Sequence, residues 1–368
     1  MLSKESPSQK DILGTAKNVS RRTATKTLTV GFLSLLTGAQ RSLANVVTDS
    51  AYLFVHPELR KFVPAIVRMA NQYKLTPEFI AAVRGSSSQQ NPPSLGDIPV
   101  QEKWIPGLDD GPDVRVYVVN AKPDASRPAI LHIHGGGFIL GSAVTSVRDA
   151  QSWAKELDCT VVTVDYRLAP EHKYTDSVND NYAALQWLYR HAEELGVNPD
   201  QIVLMGESAG GGHAALLALK ARDLGEIPIL FQCLIYPMLD DRTGITRPVA
   251  HNVGTIGWTI ESNIFGWQAF LGEEPGTDKV PAEAVPARVK DLSGLPPTFI
   301  GVGGIDLFVD ENIEYAQRLI DAGVPTQLLV QPGAFHGFDT HGAKTSIGKQ
   351  FNEAKMDALR RAFNGQFN

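Results

Sequence analysis

From about residue 100 onward, short apolar runs alternate with segments of helical period, and this alternation restricts the chain to a sheet packed between helices. The β-type runs are 100–105, 114–119, 129–133, 160–164, 202–205, 229–236, 298–302 and 326–330. A strand with one wet face alternates apolar and polar residues. Several of these runs, 202–205 among them, are unbroken apolar stretches, as expected of central strands buried on both faces. Helical patterns fall between them at 147–157, 179–195, 210–222, 312–322 and 348–363. The expectation is an α/β architecture with a mostly parallel central sheet, helices on both faces and no internal repeat.

Two segments lie outside this rhythm. Residues 1 to about 95 carry helical patterning at 51–70 and 76–83, then a Ser/Gln/Asn/Pro-rich connector at 85–96. Between the sixth and seventh β-type runs, 240–293 forms an interruption containing Trp258, Phe265, Trp267 and Phe270. An aromatic insertion of that length reads as a lid or cap.

Charge and composition exclude several classes. The chain has 34 basic and 40 acidic residues, a net charge of −6, so there is no cationic excess to displace phosphate counterions and no nucleic-acid partner is expected. The only cysteines, Cys159 and Cys233, each sit in an apolar β-prone run and read as buried free thiols. No CxxC, HExxH or clustered Cys/His spacing occurs, so no metal and no cofactor are expected. No apolar run reaches the roughly 18 to 20 residues of a membrane span. Ser20-Arg21-Arg22-Thr23, Lys26 and the apolar run 28–36 resemble a twin-arginine export signal, but Thr29, Gly31, Ser34 and Thr37 break the apolar stretch. A cytoplasmic location is favoured slightly over export.

The sharpest chemical signal is Gly206-Glu207-Ser208-Ala209-Gly210, directly after a β-type run and directly before a helical one. A serine on so tight a strand-to-helix bend needs small neighbours, and its hydroxyl then projects above the sheet. The amide of Ala209 at the helix start points where a carbonyl oxygen would gain charge. His134-Gly135-Gly136-Gly137-Phe138 likewise follows a β-type run. Its glycines let backbone amides approach a ligand, and no Gly-Lys-Ser/Thr follows to suggest a phosphate loop. Gly136 and Gly137 are therefore expected to join Ala209 as oxyanion donors, with His134 fixing the loop by a hydrogen bond.

A serine hydroxyl needs a base, and the base needs an orienting carboxylate. Where the nucleophile sits on an elbow of this kind, the acid follows it in the chain and the histidine comes last. Downstream of Ser208, His213 lies on the elbow helix, His251 within the insertion, and His341 beyond the last strand loop, where it is expected to face solvent. His336, in Gly333-Ala334-Phe335-His336-Gly337-Phe338, stands just after a β-type run. Asp306 has the same strand-end register after 298–302. Asp310 and Glu311 fall at the start of the next helix, where an acid is explained by the helix dipole.

In combination and order, HGGGF at 134–138, DYRLAPE at 165–171, GESAGG at 206–211, YPMLDD at 236–241, DLFVD at 306–310 and HGF at 336–338 resemble the hormone-sensitive-lipase-like branch of the α/β-hydrolases, the bacterial family IV esterases. The resemblance covers about 100–363. It implies the α/β-hydrolase fold with a helical cap and a triad of Ser208, Asp306 and His336. It further implies an oxyanion hole at Gly136, Gly137 and Ala209, supported by His134, Gly135, Gly206, Glu207 and Gly210. Residues 1–45, read as an N-terminal extension or export signal, have no counterpart in that family; for the rest the resemblance implies cap helices at 46–95, a catalytic domain at 96–239 and 293–368, and a cap insertion at 240–292. Small esters with short to medium acyl chains are the implied substrates, with no cofactor, and a homodimer paired near the last strand is the implied assembly. Deacetylase, lactonase or amidase chemistry would use the same triad, and hormone receptors share this fold without the base.

Overall fold

A computed structural model of the chain describes residues 52–72, 75–88 and 95–367. The extension at 1–45 and its twin-arginine pattern lie outside the described residues. Eight strands form one sheet: β1 (Val100–Ile105), β2 (Val114–Val119), β3 (Arg127–Ile133), β4 (Thr160–Asp165), β5 (Val197–Glu207), β6 (Phe231–Ile235), β7 (Thr298–Gly303) and β8 (Thr326–Gln331). Their order across the sheet is β1-β2-β4-β3-β5-β6-β7-β8. Only β2 runs against its neighbours β1 and β4; every pair from β4 to β8 is parallel. All eight expected strands are present.

The helices outside the 240–293 insertion cover both faces. Pleating sends alternate residues to opposite sides. On one side, Val116, Val118, Leu131, Leu204 and Ile300 share a core with Tyr182 and Leu185 of a helix at Tyr174–Arg190, Leu217 of one at Ala209–Leu224, and Leu319 of one at Val309–Asp321. On the other side, Tyr117 packs with Val144 and Val147 of the helix Ala143–Leu157. Gly301 leaves room there for the ring of Phe351, on the last helix Ser346–Phe363.

Several expected boundaries shift. The helical pattern at 51–70 divides into a 3-10 turn at Pro57–Phe62 and a helix at Val63–Gln72. Pro57 and Pro64 explain the division, because a residue without an N–H is tolerated only in a first helical turn. The helix at Pro77–Ser88 runs four residues into the expected connector, through Ser88. Strand β5 starts at Val197, five residues early, because Val197 pairs with Arg127 across an irregularity in register. The helix expected at 179–195 begins at Tyr174 and breaks at His191 into a short second helix, Ala192–Leu195.

The insertion after β6 contains one helix, Ile260–Leu271, and two 3-10 turns. Its apolar side forms a second core in which Trp267, Phe270 and Leu271 pack with Phe138, Phe308 and Ile80. Phe138 stacks on Phe270 with centroids 3.9 Å apart and meets Trp267 edge-on at 5.0 Å. The N-terminal helix Pro77–Ser88 is tied to the same region by Arg84, which donates to the carbonyls of Ile139 and Ala169 and pairs with Glu171 at 2.7 Å. Among the described residues, no helix is long and apolar enough to cross a membrane.

Candidate active site

Ser208 sits between the end of β5 and the helix Ala209–Leu224 with φ 57° and ψ −121°. A non-glycine residue adopts this conformation only when its surroundings enforce it. Here the amide donates to Ile235 at 2.9 Å, and the carbonyl accepts from Gly212 and Met238, both at 3.0 Å. A Cβ on Gly210 would overlap the carbonyl of Ile133, so the helix can approach β3 this closely only with glycine there. Ser208 is 7 % exposed.

The structure brings His336 and Asp306 to this hydroxyl. His336 Nε2 lies 2.9 Å from Ser208 Oγ. Nδ1 lies 2.8 Å from Asp306 Oδ2. Because a carboxylate only accepts, Nδ1 carries the proton and Nε2 is free to accept from the serine. Asp306 is fully buried, and its Oδ1 accepts from the Phe308 amide at 3.0 Å, which fixes the carboxylate plane. The other histidines lie elsewhere. His213 is buried on the elbow helix, where Nδ1 donates to Ala209 at 3.0 Å and Nε2 accepts from Ser177 at 2.9 Å. His251 meets Phe54 edge-on, and His341 is exposed.

The glycine loop lies beside the elbow. A Cβ on Gly135 would come 3.3 Å from that of Ser208, and 2.8 Å from the Glu207 carbonyl. Gly136 and Gly137 adopt φ 130° and 60°, and among the described residues neither amide donates to a backbone carbonyl. Trp258 of the insertion lies against Gly137 so closely that a Cβ there would overlap its ring. His134 donates from Nδ1 to the Gly135 carbonyl at 2.8 Å and stacks on Tyr166 at 4.3 Å, whose hydroxyl returns a bond to the His134 carbonyl at 2.9 Å. Burial holds its imidazole below the ordinary value, so it stays neutral beside the loop.

Glu207 points beneath the elbow. It accepts from His132 Nε2 at 2.9 Å, and the other nitrogen of His132 meets Thr163 at 2.9 Å. Burial would raise this carboxyl, but His132 and Lys355 outweigh it and hold it below its ordinary value.

Two side chains take on more than their sequence context suggested. Glu311, expected to serve only the helix dipole, is 2 % exposed and accepts from the amides of Leu239 at 2.7 Å and Asp240 at 3.2 Å and from the Thr243 hydroxyl. It staples the base of the insertion to the helix Val309–Asp321, while Asp310 beside it is exposed as the dipole account requires. Burial raises Glu311 well above its ordinary value, with Asp240 adding to the effect. Tyr236, noted only as part of a motif, packs against His336 with centroids 4.7 Å apart. Its position directly after β6, at the carboxyl edge of the sheet, was the available signal. Cys159 and Cys233 are buried free thiols, and burial pushes each up to about 12.

Among proteins of known kind, the sequence profile described as the α/β hydrolase fold matches residues 130–340, more than half of the chain. Esterase LipI of Mycobacterium tuberculosis is 34% identical over 262 residues, covering 70% of this chain and 81% of its own. Carboxylesterase NlhH of the same organism is 32% identical over 297 residues, covering 79% and 86%. Among solved structures, a bacterial heroin esterase superposes with a TM-score of 0.73 at 36% identity, covering 85% of this chain and 99% of that one.

Proposed function

The chain belongs to the α/β-hydrolase fold family, in its hormone-sensitive-lipase-like esterase branch, and from that membership we propose that it is a carboxylic ester hydrolase working through Ser208, His336 and Asp306. One observation carries the assignment: His336 bridges the Ser208 hydroxyl at 2.9 Å and the Asp306 carboxylate at 2.8 Å. His336 Nε2 takes the hydroxyl proton as Ser208 Oγ attacks the ester carbonyl. The amides of Gly136, Gly137 and Ala209 receive the oxyanion, and Asp306 stabilises the imidazolium. When the tetrahedral intermediate collapses, His336 returns the proton to the leaving alkoxide and an alcohol departs. Water then attacks the acyl-enzyme, giving its proton to Nε2 and releasing the acid, and the proton returns to Ser208 Oγ. The reaction is complete without a cofactor.

Substrates of short to medium acyl chain fit a site whose oxyanion loop is covered by Trp258 and whose cap is packed with Trp267 and Phe270. Turnover of p-nitrophenyl butyrate by Ser208→Ala is the direct test. A fall of about 10⁴-fold or more is expected. Turnover near that of the unmodified protein would refute the assignment.

A further inference from the structure

His336 is held by more than the acid. The ring of Phe308, two residues after Asp306, stands nearly perpendicular to the imidazole with centroids 5.2 Å apart. Tyr236 faces it from a different part of the chain. The Tyr236 amide donates to Gly301 at 2.6 Å, and its φ of 36° is one that few non-glycine residues adopt. Its hydroxyl donates to Asp339 Oδ1 at 2.8 Å. Asp339 lies three residues beyond His336, in the one-turn helix Phe338–His341 that opens on Gly337 at φ 75°. Tyr236 is 4 % exposed and Asp339 5 %.

This bond ties the end of β6 to the loop that carries His336. We propose that Tyr236 and Asp339 form a positioning pair for His336, holding the imidazole in line between Ser208 and Asp306 while touching neither the serine nor the substrate. The inference rests on the reading of His336 as the base. Ordinary core packing does not account for the pair. Phenylalanine at 236 would fill the same space without burying a hydroxyl and a carboxylate, whose desolvation has a cost. Gly337, at φ 75°, joins His336 to the turn that carries Asp339, and the Tyr236–Asp339 bond anchors that turn to the end of β6. A fully buried phenol beside a carboxylate also stays protonated, since burial and then Asp339 push it well above its ordinary value. It therefore remains a donor across the working pH range.

The test compares Tyr236→Phe, Asp339→Ala, Asp339→Asn, the double variant Tyr236→Phe/Asp339→Ala and His336→Ala on p-nitrophenyl butyrate, each with its melting temperature. Misplacing a base by a fraction of an ångström lowers kcat rather than substrate binding. Tyr236→Phe and Asp339→Ala are each expected to lower kcat about tenfold, with KM within about twofold. The double variant should be no worse than either single one, because both remove the same bond. Asp339→Asn, whose amide oxygen accepts the same bond, should keep most of kcat. An unchanged kcat in Tyr236→Phe overturns the pair, as does Asp339→Asn falling as far as Asp339→Ala. His336→Ala separates the two levels: if it abolishes turnover while Tyr236→Phe has no effect, only the pair fails. If His336→Ala retains turnover, the base assignment fails and the pair with it.

Discussion

At the scale of the residue, the site is a set of strained or crowded backbone positions held by ordinary hydrogen bonds. Ser208 keeps φ 57° because Ile235, Gly212 and Met238 bind its amide and carbonyl on both sides. Gly137 is equally constrained, in two ways. Its φ of 60° disfavours a side chain, and Trp258 occupies the space a Cβ would need. Gly137→Ala must therefore move the loop or the tryptophan, and either shifts the amide away from the oxyanion. Loss of one oxyanion donor lowers kcat by about 10²-fold or more. That fall is expected for p-nitrophenyl butyrate, and a variant of nearly normal kcat would remove Gly137 from the oxyanion hole. The sequence exposed these positions because glycine and serine runs beside strands have few other uses. Tyr236, Asp339 and Glu311 were not legible in the same way. A tyrosine or a carboxylate looks alike on a surface and in a core until tertiary structure supplies the partner that makes burial tolerable.

At the scale of the element, central strands were the most legible part. An unbroken apolar run such as 202–205 has no other economical explanation than burial on both faces. Helix starts were less legible because their first turns mix polar and apolar residues; Tyr174 to Val178 has no clear period, yet it opens a helix that packs on the elbow helix through His213. That contact gives the two helices a pH response. Burial pushes the His213 imidazole down to about 3 from its ordinary 6.5. The unfolded chain therefore binds a proton that the folded one refuses, and stability is lost as pH falls below about 6.5 towards the folded value. By pH 5 the loss is on the order of 2 kcal/mol. His213→Gln removes the titration. Its urea stability at pH 7 should be lower, for want of the Ser177 bond, but its decline from pH 7 to pH 5 should be shallower by roughly that amount. Parallel declines in the two proteins would contradict the assignment.

At the scale of the molecule, every group proposed for the chemistry, and Tyr236 proposed to position its base, stands beyond the carboxyl end of a parallel strand: the glycine loop after β3, Ser208 after β5, Tyr236 after β6, Asp306 after β7 and His336 after β8. A parallel sheet collects such loops along one edge, which is why chain order and position just past the β-type runs pointed to one site. What covers that edge was visible only as an aromatic-rich interruption. The insertion packs Trp267 and Phe270 against Phe138 in a second core shared with Phe308 and Ile80, and its Trp258 lies against Gly137. Buried carboxylates pin its base: Asp241 binds Arg288 through both oxygens at 2.7 and 2.8 Å, and Glu311 holds the chain at Leu239. A cap fastened this way yields little to a long acyl chain. Each methylene that the pocket cannot seat costs about tenfold in kcat/KM. Across p-nitrophenyl acetate, butyrate, octanoate and palmitate, kcat/KM should peak at or below the octanoate and fall steeply at the palmitate. Trp258→Ala should shift that profile towards longer chains, because the side chain removed is the one closing space beside the oxyanion loop. A palmitate preference in the unmodified protein, or an unshifted profile in the variant, would mean that the cap does not set chain length.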